Sequence, residues 1–108
     1  MNGTDKVTTL TVTQQVIVDE CEFIKEHLLA KNRAYGNSFA EPVQIFAKSS
    51  PVEQLNVRID DKIKRLLNKD GASKRRVKED TVLDLIGYLI LKRVLTRLNR
   101  REAQNAER

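Results

Sequence analysis

The feature that most constrains this fold is residues 79–98, which read as one continuous helix with few polar interruptions. Asp80 or Thr81 can accept hydrogen bonds from the free N–H groups of a first turn, and basic residues follow at the opposite, negatively polarised end. Residues 82–91 are apolar on every side of this helix apart from Asp84 and one glycine. Such a helix must be covered all round, in a bundle or in a subunit interface. We therefore predict that it forms the core.

Asp84 lies within this apolar run, and Asp80 stands about one helical turn earlier on the same face. A carboxylate among apolar neighbours is unfavourable unless a cation accompanies it. The sequence leaves the choice open between a lysine, an arginine and a metal ion. The identity of this partner is the main functional question.

Length and composition indicate a single all-α domain. The chain has 108 residues, enough for one modest core, and only 5% of them are aromatic, so Leu, Ile and Val must fill that core. We predict a small helical bundle of three main helices plus one short helix, oligomeric through the apolar C-terminal helix. Residues 1–11 are predicted to be a flexible arm, residues 12–104 the helical domain, and residues 105–108 a frayed tail.

The charge balance favours anionic partners. A formal net charge of +5 and a pI near 9.6 suit a nucleotide, a phosphate or a nucleic acid. The single cysteine, Cys21, excludes an internal disulfide and a multi-cysteine zinc site. The first residues do not resemble a secretory signal, and residues 82–91 are too short to cross a bilayer. We therefore expect a cytoplasmic protein with no membrane partner.

Residues 12–33 are predicted to form the first helix, with Thr11 or Thr13 as its cap. Its apolar stripe consists of Ile17, Cys21, Ile24 and Leu28. Its opposite face carries three carboxylates, those of Asp19, Glu22 and Glu26. Such a face is commonly a solvated surface. Alternatively, Glu22 supplies an oxygen ligand to a magnesium ion shared with Asp80 and Asp84.

The segment that follows the first helix combines side chains suited to a nucleotide. Lys31 is a cation, Asn32 carries an amide, Tyr35 is aromatic, and Gly36 lets the backbone approach a ligand closely. This mixture can bind a phosphate and a base together. The alternative is a helix C-cap with Gly36 in the left-handed conformation and Tyr35 returning to the core.

The second main helix is predicted over residues 51–68. Ser50 is suited to cap it, Pro51 suits its first position, and Glu53 is placed to complete a capping box. A short helix is predicted just before it, over residues 42–48.

A second face of this helix carries three cations and one acid, at Arg58, Asp61, Lys62 and Arg65, with Arg58 and Lys62 next to the apolar stripe. The cations can point into a groove and bind a ligand, or Asp61 can pair along the helix with Arg58 or Arg65. Residues 70–78 are predicted to be a charged loop, and its basic residues 74–78 can lie over a bound phosphate.

Three motifs occur in a recognisable order: Lys31-Asn32-x-x-Tyr35-Gly36, Asp61-Lys62-x-x-Arg65-Leu66 and Glu79-Asp80-Thr81-x-x-Asp84-x-x-x-Tyr88. Together they resemble the nucleotide modification associated domain 1 family, small all-helical proteins found largely in bacteriophages and prophages. The resemblance covers roughly residues 28–95. It implies that the family's polar positions correspond here to Lys31, Asn32, Tyr35, Gly36, Lys62, Arg65, Asp84 and Tyr88. The chain has Ala34 where the family usually has an acid.

The resemblance also implies a setting, the cytoplasm of a host bacterium, and an association with nucleotide or DNA modification. A looser similarity connects the chain to MazG-like nucleotide pyrophosphohydrolases, in which helical carboxylates bind magnesium and activate a water molecule. Thr81 stands where one of those acids is expected. If the chain is an enzyme, this similarity implies magnesium-dependent hydrolysis of a nucleotide.

Three functions are therefore open. The first is a nucleotide-handling domain in which Lys31, Arg58, Lys62 and Arg65 bind phosphates, with Tyr35 stacking on a base. The second is a binder without chemistry, such as a phage protein that sequesters a nucleotide signal of host defence. The third is a basic scaffold or nucleic-acid-binding protein.

Overall fold

The computed structural model describes residues 9–68 and 75–106, and these contain three helices and no strand. Helix α1 spans Val12–Tyr35, α2 spans Pro51–Leu67, and α3 spans Arg75–Ala106. The predicted all-α class is confirmed. No helix in this part of the chain is long and apolar enough to cross a membrane. Of the predicted N-terminal arm, residues 1–8 lie outside the described residues.

Helix α1 begins at a complete capping box. The Thr11 hydroxyl accepts from the Gln14 backbone N–H at 3.1 Å, and the Gln14 side chain accepts from the Thr11 N–H at 3.0 Å. These two bonds satisfy N–H groups that have no partner within the helix. Of the two threonines proposed as caps, Thr11 is the one used. The helix ends at Gly36, whose N–H donates to the Asn32 carbonyl at 2.7 Å.

Helix α2 begins at the predicted residue and with the predicted cap, but the predicted capping box is wrong, because the Glu53 side chain does not return to the Ser50 backbone. The Ser50 hydroxyl accepts from the Glu53 N–H at 3.2 Å, and Pro51 occupies the first helical position. The Glu53 carboxylate accepts from the side chain of Asn56 at 3.2 Å. The helix ends one residue earlier than predicted, at Leu67.

The predicted short helix over residues 42–48 is wrong, because these residues are irregular. A helix this short forms only when its apolar face packs on other elements. Here Val43 and Phe46 face solvent, and Phe46 is 98% exposed. Side-chain bonds hold the segment instead, since the Gln44 amide donates to the Ser49 carbonyl at 2.7 Å.

Helix α3 is longer than predicted at both ends. It begins at Arg75, so residues 75–78 of the predicted charged loop are helical, while residues 69–74 lie outside the described residues. Neither Asp80 nor Thr81 caps the helix, and Thr81 is buried within it. No glycine or proline separates Arg75 from Asp80, so nothing in the sequence stops the helix from extending towards its N-terminus. At the other end α3 reaches Ala106, past the predicted boundary at residue 104.

The core lies mainly between α2 and α3, where Leu55 and Ile59 of α2 are buried together with Leu95 of α3. The single chain does not cover α3 all round, because Val82 and Leu89 remain exposed, and the alternative of a subunit interface stays a prediction. Only one side of α3 has α2 to pack on, and α1 covers little of the rest.

Helix α1 meets α3 at one close approach. A Cβ atom added to Gly87, which is buried on α3, would stand 3.3 Å from Cδ2 of Leu28. Ile24, one turn before Leu28, is buried at the same place. Residues 12–23 of α1, called the overhang below, are all exposed. The molecule is therefore flat, with extents of 61 × 53 × 23 Å.

We predict that Gly87→Leu separates α1 from α3, because a branched side chain cannot fit against Leu28. The free energy of unfolding should fall by about 1–3 kcal/mol, measured by urea titration with circular dichroism. Gly87→Ala is the control, since the end of Leu28 can shift for one methyl group and alanine favours the helix. Equal stability of Gly87→Leu and the wild type would contradict this contact.

Candidate functional site

The partner of Asp84 is a lysine. The Lys62 ammonium donates to Oδ2 of Asp84 at 3.0 Å, and Nζ of Lys31 lies 4.0 Å from Oδ1 of the same carboxylate. The Lys62 side chain is 14% exposed and that of Asp84 is 33% exposed, so water only partly screens this pair. Of the partners that the sequence allowed, Lys62 makes the contact.

Each of the three helices supplies one member of this cluster. Lys62 stands three residues after the buried Ile59, so its stem follows the packed face of α2 before the ammonium emerges. Asp84 stands three residues after the buried Thr81 on the face of α3 that meets α2. Lys31 comes from the last turns of α1. The polar cluster therefore marks the junction of all three helices.

A cavity of about 390 Å³ opens beside this cluster. Its walls come from the end of α1, the turn that follows, and facing positions on α2 and α3. Its lining residues are Leu28, Lys31, Asn32, Tyr35, Gly36, Ser38, Phe39, Arg58, Tyr88 and Leu91. Six of the residues predicted from the sequence to bind a ligand line this cavity: Lys31, Asn32, Tyr35, Gly36, Arg58 and Tyr88. The lining contains two cations and no carboxylate.

The turn after α1 is both a helix cap and a cavity wall. Gly36 has a positive φ of 65°, which residues with a side chain adopt only at a cost in free energy. This backbone conformation accounts for a glycine at position 36. The Asn32 amide donates to the Gly36 carbonyl at 3.2 Å and to Oδ1 of Asn37 at 2.9 Å. Tyr35 does not return to the core, as the capping alternative expected, but is 74% exposed.

The three cations of α2 have different surroundings. Arg58 lines the cavity and Lys62 binds Asp84, while Arg65 is exposed and does not line the cavity. Arg65 is about 10 Å further along the helix axis than Arg58, so it reaches past the opening. The alternative of pairing along the helix is wrong, because Asp61 forms no ion pair with any described residue.

The predicted set of magnesium ligands, Glu22, Asp80 and Asp84, is not assembled. No three His, Cys, Asp or Glu side chains in the described ranges come together as a metal-binding group. Glu22 instead bonds Lys25 at 2.7 Å, and this hydrogen bond, together with the charge of Glu22, raises the pKa of Lys25 above its ordinary value. Asp80 is exposed, and two ammonium groups already face Asp84. These three carboxylates do not come together in the described residues, and magnesium binding stays a prediction.

The sequence did not identify the apolar part of the cavity wall. Leu28 and Leu91 line it, although both were assigned only to apolar helix faces. The sequence also does not predict that Gly87 is the point of contact between α1 and α3. A glycine in the middle of an otherwise strong helix was the available signal, since such a residue often marks close packing.

Comparisons with protein-family models, with curated proteins and with solved structures find no match to the chain. The fold and site therefore define the protein only as a class. Its described residues form three helices, linked by a partly buried ion-pair cluster beside a cationic and aromatic cavity.

We predict that Asp84→Ala lowers the free energy of unfolding by about 1–2 kcal/mol, because it leaves the shielded Lys62 ammonium without its partner. Lys62→Met should cost less, since its apolar stem can be retained. The double variant should be less destabilised than the sum of the two, as measured by chemical denaturation. Arg65→Ala is the exposed control and should change stability by less than about 0.5 kcal/mol. Strictly additive losses would contradict the pairing.

Proposed function

We propose that this chain binds a nucleotide, or a related ligand that carries phosphate, in the cavity at the junction of its three helices. The observation that carries this proposal is the lining itself, in which Lys31 and Arg58 stand with Tyr35 and Tyr88 and no carboxylate is present. Cations attract the phosphate, and aromatic rings offer a surface for a base. The cavity volume of about 390 Å³ lies within the range of small-molecule sites.

Arg58 is the best candidate for the phosphate contact. It is exposed, it lines the cavity, and it forms no ion pair with any described residue. Its guanidinium is therefore available to bind a phosphate through two parallel hydrogen bonds. The Lys31 ammonium is half-exposed and, at 4.0 Å from Asp84, is beyond hydrogen-bond distance of that carboxylate, so it can bind the same phosphate. Lys62 is held by Asp84, and the two charges balance each other.

Tyr35 is the candidate for the base contact. Its ring is largely exposed at the cavity rim, at the last position of α1, where Gly36 turns the chain away. An exposed ring on a fixed helix end can stack on a base with little loss of conformational entropy, because the backbone is already ordered. Tyr88 on α3 faces the same cavity and can hydrogen-bond through its phenol.

The arrangement favours binding without turnover. The cavity lining has no carboxylate to activate a water molecule, and the nearest one, Asp84, is already paired with two lysines. General-base catalysis needs a group that is within reach and free to accept a proton. We therefore favour a protein that sequesters its ligand over a pyrophosphohydrolase. The resemblance to the nucleotide modification associated domain 1 family suggests a phage or prophage setting for this role.

We predict that Arg58→Gln weakens nucleotide binding at least about tenfold, since a hydrogen bond to a charged group contributes roughly 1.5–3 kcal/mol. Isothermal titration with nucleoside mono- and triphosphates, with and without magnesium, measures this, and product analysis shows whether the ligand is recovered unchanged. Arg65→Gln is the matched control outside the cavity and should bind like the wild type. Absence of binding to every nucleotide tested, or equal losses in both variants, would refute the proposal.

A separate prediction concerns the base. Tyr35→Leu should weaken binding of a nucleoside monophosphate several-fold, because stacking on an aromatic ring contributes about 1–3 kcal/mol per base. The same variant should bind inorganic pyrophosphate, which has no base, like the wild type. Tyr35→Phe keeps the ring and should retain nucleotide affinity. If the leucine variant loses affinity for both ligands alike, Tyr35 acts on the fold of the turn and not on a base.

A further inference from the structure

A second surface is apolar. A groove runs between the C-terminal half of α1 and the middle of α3, with a volume of about 600 Å³. We call it the apolar groove. Its floor is formed by Ile24 and Leu28 of α1 together with Ile86, Ile90, Val94 and Leu98 of α3. Nothing in the described part of the chain fills it.

The overhang is a second unpartnered apolar surface. Val12, Val16 and Phe23 recur at spacings of four and seven residues, so they share one face of α1, and all three are exposed. Residues 12–23 make about three turns of α1, and no described part of the chain covers them. Exposed apolar side chains grouped on one face mark an interaction surface.

We propose that the apolar groove is occupied by the overhang of a second copy of this chain. In a two-fold dimer each overhang would enter the groove of the other copy. The same interface would then cover both grooves and both overhangs. The overhang directly precedes the part of α1 that lines the apolar groove. Two copies related by a two-fold axis can therefore make both contacts at once.

The exposed area fits a dimer. The chain exposes 9106 Å², whereas a compact monomer of 12.4 kDa exposes about 6,100 Å². Its radius of gyration is 18.5 Å, compared with about 13 Å for a compact chain of this length. The excess area, about 3,000 Å² per chain, exceeds the roughly 1,000–2,500 Å² that each partner buries in an obligate homodimer.

The charges of the two surfaces are complementary. The overhang carries Asp19, Glu20 and Glu22 and no basic residue. Arg93, Arg97 and Arg101 recur every fourth residue along α3 next to Ile90 and Val94. None of the three arginines forms an ion pair with a described residue. Glu20 stands beside the Val16 and Phe23 face, so seating that face in the groove brings acid towards base.

Sedimentation velocity of the full chain over a range of concentrations tests the proposal. We expect a dimer of twice the 12.4 kDa chain mass, and we expect Phe23→Glu to raise its dissociation constant at least tenfold. The control is Phe46→Glu, the same substitution at an exposed phenylalanine outside the groove and overhang, which should leave the dimer intact. Circular dichroism checks that both variants keep their helices.

Charge reversal tests the orientation. Glu20→Arg and Arg97→Glu should each weaken the dimer several-fold, and the double variant should recover most of the loss. Cys21 is the single cysteine and lines the groove, so its alkylation should slow as the protein concentration rises. A wild-type chain that stays monomeric with Cys21 fully reactive overturns the proposal and leaves the groove to another partner. A dimer that Phe46→Glu disrupts as strongly as Phe23→Glu, or that the double reversal does not restore, overturns it as well.

Discussion

The ion-pair cluster at Asp84 is the interaction on which the rest of this structure depends. It brings Lys31 of α1 and Lys62 of α2 within 4.0 Å of the Asp84 carboxylate on α3, so each of the three helices supplies one charged group. A partly buried carboxylate is tolerated there because Lys62 donates directly to it. The cluster links α2 to α3 beside their apolar core, and it holds Lys31 next to the wall of the neighbouring cavity.

The cationic cavity follows from the same arrangement. Because Asp84 is paired with two lysines, it adds no free negative charge to the cavity, and Arg58 keeps its positive charge available. The cavity also shares part of its wall, at Leu28, Asn32, Phe39 and Leu91, with the apolar groove. Under the two proposals made above, a bound anion and a second copy of the chain would therefore lie on opposite sides of the same few residues.

Local signals in the sequence were sufficient wherever the structure depends on local physics. Thr11 and Ser50 cap their helices and Pro51 starts α2, because capping involves only atoms a few residues apart. Local signals are not sufficient for residues 42–48. Their helix would need an apolar surface to pack on, and Val43 and Phe46 face solvent instead. The predicted start of α3 is also four residues too late, since Arg75, Arg76 and Lys78 suit a charged loop by composition but are good helix formers.

The sequence by itself determined the all-α class, the three main helices and the requirement that Asp84 have a positive partner. Tertiary structure alone decided that this partner is Lys62, that Arg58 and not Arg65 faces the cavity, and that Glu22 lies away from Asp84. The physical reason is that these outcomes depend on contacts between residues far apart in the sequence. Periodicity gives the face on which a residue lies, but which helix that face meets, and at what height, depends on how the helices cross. The crossings depend on contacts between distant residues: Leu55 and Ile59 pack α2 on α3, and Gly87 lies against Leu28 where α1 meets α3.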